Sequence, residues 1–190
     1  MIVLFSNVPA EAQKPVSILY LRAGANLNFS WPEHGKTFLF PALNLTPGLR
    51  ILQGRDFAMV LTLPMSAGIS SDDNTHNSFG IDTYSMLEFD FGSSAGNSPT
   101  GGIGFMAGIG LGYQAVGKYY DSNTDPGYQD REMDFWGYRL SFGISLGRDS
   151  TGDRTLISFN FGKSLTLDKK YTASIGIYLI IGNRKKLSDR

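Results

Sequence analysis

The feature that most constrains this chain is a two-residue period that runs almost unbroken from Ser17 to Gly182. Side chains on a β-strand point alternately to its two faces, so such a period specifies strands with two different faces. In ILYLRAGANLNFSW, one face carries Leu19, Leu21, Ala23, Ala25, Leu27, Phe29 and Trp31. The other carries Tyr20, Arg22, Gly24, Asn26, Asn28 and Ser30. FLFPALNLTPGLRIL, FAMVLTLPMSAGI, FGIDTYSMLEFDFG, FWGYRLSFGISLG, LISFNFGKSLTL and YTASIGIYLIIG repeat the pattern. With the segment running from Gly101 through QAVGKYY, they predict eight strands of roughly ten to fifteen residues, separated by polar turns.

That remaining segment begins GGIGFMAGIGLGY and admits a second interpretation. Gly102-x-Gly104-x-x-Ala107 matches the dinucleotide fingerprint G-x-G-x-x-A, which requires a buried strand before it and a helix after it. Here SSAGNSPTG, a turn composition, precedes it, and the alternation continues past it. Glycine at every second position also costs a helix roughly 1 kcal/mol each. The segment is therefore a strand with glycine on one face and Ile103, Phe105, Ala107, Ile109 and Leu111 on the other.

Volume decides which face points inward. The apolar faces together supply roughly fifty residues, whereas an eight-stranded barrel is only wide enough to be filled by side chains. A packed eight-stranded core takes about twelve in three layers of four. Glycine, serine and asparagine fit the narrow interior, so the apolar face must point outward, into lipid. A membrane strand of about 9–11 tilted residues spans a bilayer, and closure satisfies every backbone group in hydrocarbon. The sequence thus predicts an all-β, eight-stranded, antiparallel up-and-down transmembrane barrel with a side-chain-filled polar interior.

Parity then assigns residues to the two surfaces. Outward aromatics near strand ends fall into two girdles: Trp31, Phe79, Tyr119, Trp136 and Tyr171 at one rim, and Phe57, Phe91 and Phe105 at the other. The inner face carries Arg22, Lys118 and Arg139, with Arg50 nearer a rim, against Asp82, Glu88 and Asp90. An unpaired charge in a narrow lumen is costly, so ion pairs or hydrogen-bonded networks are expected among them. Lys163 has outward parity and belongs near a rim or after a bulge at Gly162. Prolines 41, 47 and 64 interrupt strand patterns, which predicts bulges or rim positions. Thr83 and Ser85 make the outward face of the fourth segment unusually polar, marking a seam for contact with another protein.

GFMAGIGLGYQ, YRLSFGISLG and YTASIGIYLIIG, with the pattern over residues 15–183, resemble the small eight-stranded outer-membrane barrels of Gram-negative bacteria. These are the OmpX and OmpA transmembrane-domain type and the outer membrane protein beta-barrel domain families. The resemblance implies a bacterial outer-membrane location and a surround of lipid and lipopolysaccharide. It also implies periplasmic termini, with outer loops near 32–37, 70–78, 120–132 and 168–170. Periplasmic turns then fall near 53–56, 93–101 and 148–154. Where such barrels often finish on an aromatic residue, NRKKLSDR follows the last strand here and reads as a polar periplasmic tail over 184–190. At the other end, MIVLFSNVPAEAQ reads as a shortened secretory signal over residues 1–12 with cleavage after Ala12.

Function is constrained chiefly by exclusion. The chain has no cysteine, and its 17 Lys+Arg balance its 17 Asp+Glu, so neither a thiolate site nor a basic nucleic-acid footprint exists. Nothing predicts a cofactor, a metal site, a nucleotide or a nucleic-acid partner. Some eight-stranded barrels modify lipid A, and His76-Asn77-Ser78 resembles the H-x-S of the outer-membrane lipid A deacylases, with Glu88 following. A Ser nucleophile, His base and Glu orienter would be the logic. Ten strand residues span roughly 33 Å, however, so Glu88 cannot orient a histidine in the loop before its own strand. The expectation is a non-enzymatic barrel with a structural or protein-interaction role, including as a subunit of a larger envelope complex; a narrow pore and a lipid A-modifying hydrolase are the alternatives.

Overall fold

The computed structural model describes residues 19–31, 38–54, 56–70, 78–92, 102–119, 131–147, 154–166 and 170–181. The signal and tail assignments, His34, His76 and most of the loops lie outside the described residues, as do the side chains of Ser78, Lys118 and Tyr119.

Nine strands form the sheet: β1 (Leu19–Trp31), β2 (Phe38–Gln53), β3 (Phe57–Thr62), β4 (Met65–Ser70), β5 (Ser78–Gly92), β6 (Ile103–Tyr119), β7 (Arg131–Gly147), β8 (Arg154–Ser164) and β9 (Tyr171–Ile181). All pairings are antiparallel, and β1 pairs with both β2 and β9, the latter from Leu21↔Ile181 to Trp31↔Tyr171. The sheet therefore closes on itself. Strands β3 and β4 occupy one barrel position, since both lie between β2 and β5. The architecture is an up-and-down barrel of eight positions, one of them filled by a divided strand.

The division has a covalent cause. At the hydrogen-bonded positions of an antiparallel ladder, opposed residues exchange two N–H···O bonds, and proline has no N–H to give. Leu63 N–H donates to the Pro47 carbonyl at 3.0 Å, and Pro47 cannot return the bond. Tyr84 N–H donates to the Pro64 carbonyl at 3.0 Å, and Pro64 cannot return it either. One ladder bond is thus missing on each side of Leu63–Pro64. The expected bulges do not form at these prolines. The register runs through Leu27↔Pro41 and Leu21↔Pro47 without a shift, with Pro41 close to the start of β2 and Pro47 well inside it. The shift in β2 falls instead between Arg50 and Leu52. Gly92, at φ 61°, ends β5 in a left-handed conformation that glycine adopts freely.

The two faces differ as the alternation requires. Outward residues are exposed all round the barrel, including Leu43 at 75% and Phe79 at 61%, beside Leu111, Phe142, Ile177 and Leu179. A water-soluble monomer does not expose a contiguous apolar belt of this kind. Inward residues are buried, and most are polar: Asn26, Asn28, Asn44, Thr46, Ser66, Ser141, Ser158 and Asn160 among them.

Candidate functional site

The lumen is built from even-numbered residues of every strand except β7, which contributes odd-numbered ones. Its organising element is the β5–β6 pair. The register sets Tyr84 opposite Gly112, Met86 opposite Gly110 and Glu88 opposite Gly108. Each large β5 side chain lies over the glycine it faces. A Cβ added at Gly112 would meet Tyr84 Cδ1 at 2.6 Å, one at Gly110 would meet Met86 Cγ at 2.5 Å, and one at Gly108 would meet Glu88 Cγ at 2.9 Å. Glycine on the inner face of β6 is therefore a floor for three side chains, and close-packed interiors tolerate no added methyl there.

Held this way, Glu88 reaches across the lumen to β1. Arg22 Nη2 donates to both carboxylate oxygens of Glu88, at 2.7 and 2.6 Å, and Thr62 Oγ1 donates to Oε1 at 2.8 Å. Arg22 Nη1 approaches Met106 Sδ at 2.9 Å. A second pair lies further along β5. Arg139 Nη2 donates to Asp82 Oδ2 at 2.7 Å, Ser66 Oγ donates to Asp82 Oδ1, and the Arg139 guanidinium sits 3.6 Å from the centroid of the Tyr84 ring. All four charged side chains are nearly inaccessible, Glu88 at 1%. Removed from water, such charges persist only with partners of good geometry and further hydrogen bonds, which both carboxylates have.

Amide and hydroxyl networks fill the remaining levels. Ser141 Oγ donates to Asn160 Oδ1 at 2.5 Å, and Asn160 Nδ2 donates to Ser174 Oγ at 2.9 Å, joining β7, β8 and β9. Asn26 Nδ2 donates to Asn28 Oδ1 at 2.9 Å, and Thr46 Oγ1 to Asn44 Oδ1 at 2.7 Å. A void of about 20 Å³ remains at mid-lumen, bordered by Arg22, Asn44, Thr46, Glu88, Arg139 and Tyr178. That is room for about one water molecule.

Of the residues that parity assigned to the interior, Arg22, Asp82, Glu88, Asp90 and Arg139 are buried and Arg50 is half-buried near the end of β2. Arg154, at the start of β8, is buried in the lumen as well. Sequence reasoning missed it by assigning residues 148–154 to a turn. It also underestimated inner bulk, since Phe40, Met86, Met106, Phe135, Leu156 and Tyr178 all point inward. Their even or odd parity carried that signal. Among the girdle residues, Trp31 stands opposite Tyr171 at one rim, while Phe57, Phe91 and Phe105 are neighbours across β3, β5 and β6 at the other. The Phe57 and Phe91 rings are 5.3 Å apart, and Trp136 lies 5.6 Å from Tyr113. Lys163 is next to the last residue of β8, without a register shift at Gly162, and its ammonium lies 5.7 Å from the Tyr171 ring. Thr83 is partly exposed and Ser85 exposed, both on the outer face of β5.

The residues suggested by the deacylase-like H-x-S do not assemble around Glu88. Its carboxylate faces the lumen and binds Arg22 and Thr62, while His76 lies outside the described residues.

A closed antiparallel barrel with an apolar exterior and an ion-paired interior defines a class, the small outer-membrane β-barrels. Solved structures of that class share the fold. Neisserial surface protein A, NspA, superposes with a TM-score of 0.59 at 13% identity, covering 88% of this chain and 99% of its own. Ail, the attachment invasion locus protein of Yersinia pestis, does so with a TM-score of 0.58 at 10% identity over 85% of this chain and 95% of its own. The outer membrane enzyme PagL gives 0.51 at 10% identity over 84% and 98%. No family model matches the sequence, and no curated protein does. At such identities the likeness concerns architecture, and the class holds an enzyme beside an attachment and invasion protein, so fold does not select an activity here.

Proposed function

We propose that this chain is a non-conducting, non-enzymatic barrel of the bacterial outer membrane, with a structural or protein-interaction role in the envelope. The observation that carries this reading is the cross-lumen bracing, Arg22–Glu88 and Arg139–Asp82, around a void of about 20 Å³. A hydrated ion needs a continuous wet path, and a void for about one water does not supply it. Membrane pores of this architecture have far more strands. The commitment of Glu88 to Arg22 argues against the hydrolase alternative, because a triad needs a carboxylate free to orient its histidine. The surrounding partners are outer-membrane lipid and lipopolysaccharide, which the acidic loop sequences SSDDNTHNS and DSNTDPGYQDRE would meet through divalent cations. Planar-bilayer recording tests the main reading. Electrical silence is expected, and ohmic steps abolished by lumen substitutions would replace it with the pore. Lipid A mass spectra that change with the wild-type chain but not with Ser78→Ala would replace it with the hydrolase.

A further inference from the structure

Among the described residues, the lipid-facing surface carries a polar interruption at mid-height, and it coincides with the broken ladder. Ser85 is the middle residue of β5 and Thr83 is its outward neighbour two residues before, so both sit near mid-height of the barrel. Thr83 lies between Met65 and Tyr113 and Ser85 faces Leu111, and continuing the register across the break from Thr62↔Met86 to Met65↔Thr83 places Leu63 on the other side of Ser85. Both hydroxyl side chains are short beside those neighbours, which makes a shallow notch with a polar floor. Tyr84, between the two hydroxyl residues, is the residue whose carbonyl lost its ladder donor to Pro64, whereas the donor missing at Pro47 faces Leu63 from β2, on the side away from β5. Two hydroxyls and one backbone acceptor short of a ladder donor thus lie at one patch, at a depth where lipid offers only methylene groups. Hydrocarbon leaves such groups unsatisfied, and membrane-spanning structures avoid that state.

We propose that this notch is the contact face of a homodimer, in which β5 of one copy packs against β5 of a second across a two-fold axis. The occupant follows from the chemistry of the patch. It holds donors, the Ser85 and Thr83 hydroxyls, and acceptors, the same hydroxyls and the carbonyl of Tyr84. A patch with both is complementary to itself, which an isologous two-fold contact requires. Short side chains let two sheets approach closely, as small residues do at membrane interfaces, and Leu63, Met65 and Leu111 of each copy exclude lipid around the polar centre. This rests on the protein-interaction reading above and names its partner.

The chain has no cysteine, so single cysteines report without background. Ser85→Cys and Thr83→Cys, oxidised in native outer membranes and in liposomes of outer-membrane lipid, are expected to give a covalent dimer of twice the monomer's mass. Ile177→Cys, an exposed residue on β9, is the control expected to remain monomeric. In the same liposomes, energy transfer between labelled copies should show the double variant Ser85→Leu, Thr83→Leu dissociating at about tenfold higher concentration, from the loss of two hydroxyl contacts. Equal crosslinking from positions 85 and 177, no dimer from either, or capture only of a different protein would overturn the homodimer. So would unchanged association of the double leucine variant, provided it keeps its heat-modifiable electrophoretic mobility. Bilayer silence of the same preparation separates the outcomes: a silent monomer removes the dimer alone, whereas a conducting barrel removes the functional reading beneath it.

Discussion

Strand β5 has two unlike sides. Toward β6, the ladder runs from Gly80↔Val116 to Gly92↔Gly104 without a shift, and Tyr84, Met86 and Glu88 lie over three glycines. Toward β3 and β4, the same strand meets a neighbour split at Leu63–Pro64, with a returning bond missing at Tyr84. One side is rigid because every backbone group is paired and the side chains fill the space above the glycines. The other is weakened where Pro64 faces it, and there the outer surface turns polar. Within one barrel, a single strand thus separates the groups that seal the lumen from those that give the exterior a distinctive patch.

The largest effect should come from the rigid side. Gly112→Leu would drive a side chain into Tyr84 and the backbone of β5, and the variant is expected to lose the heat-modifiable band that marks a folded barrel on electrophoresis. A folded Gly112→Leu barrel of wild-type stability would mean the β5–β6 floor is not close-packed. Next is the ion pair. Glu88→Ala leaves Arg22 buried without its carboxylate, and a loss of about 3–5 kcal/mol in urea unfolding from lipid vesicles is expected. Pairing it with Arg22→Met should recover most of that loss, because replacing a buried pair by apolar groups is often neutral. A double variant no better than Glu88→Ala would show that packing, not uncompensated charge, dominates.

The smallest effect belongs to the weak side. Pro64→Ala restores an N–H facing the Tyr84 carbonyl and should close β3 and β4 into one strand, gaining about 0.5–1.5 kcal/mol from the added bond. Part of that gain is offset by about 0.4–1 kcal/mol from a more flexible unfolded chain. Hydrogen exchange is the sharper readout: the amide at position 64 should be protected, and that of Leu63 more so than in the wild type. An amide at 64 that exchanges freely would place the break in something other than the missing donor.

The strands, their closure and the sidedness of each residue were legible because a two-residue period survives any choice of register. Hence Arg22, Asp82, Glu88, Asp90 and Arg139 could be assigned to the interior. Which charge meets which was not legible, since Arg22 on β1 and Glu88 on β5 come together only across a closed lumen. Nor were the glycine floors under Tyr84 and Met86, which depend on register, and period two leaves register open. Arg154 was lost to an uncertain strand boundary. Proline marked the disturbance in the third barrel position, but its form depended on which neighbour each missing N–H faced.

The central claim is that the apolar half of every strand meets lipid and the polar half a closed interior. Spin labels on single cysteines at Leu156, Ile157, Ser158, Phe159, Asn160 and Phe161 of β8, in liposomes, test it most directly through collisions with oxygen, which concentrates in the acyl region. Collision rates should alternate, high at 157, 159 and 161 and low at 156, 158 and 160. High rates at Ser158 and Asn160 with sheltered labels at Phe159 and Phe161 would contradict it.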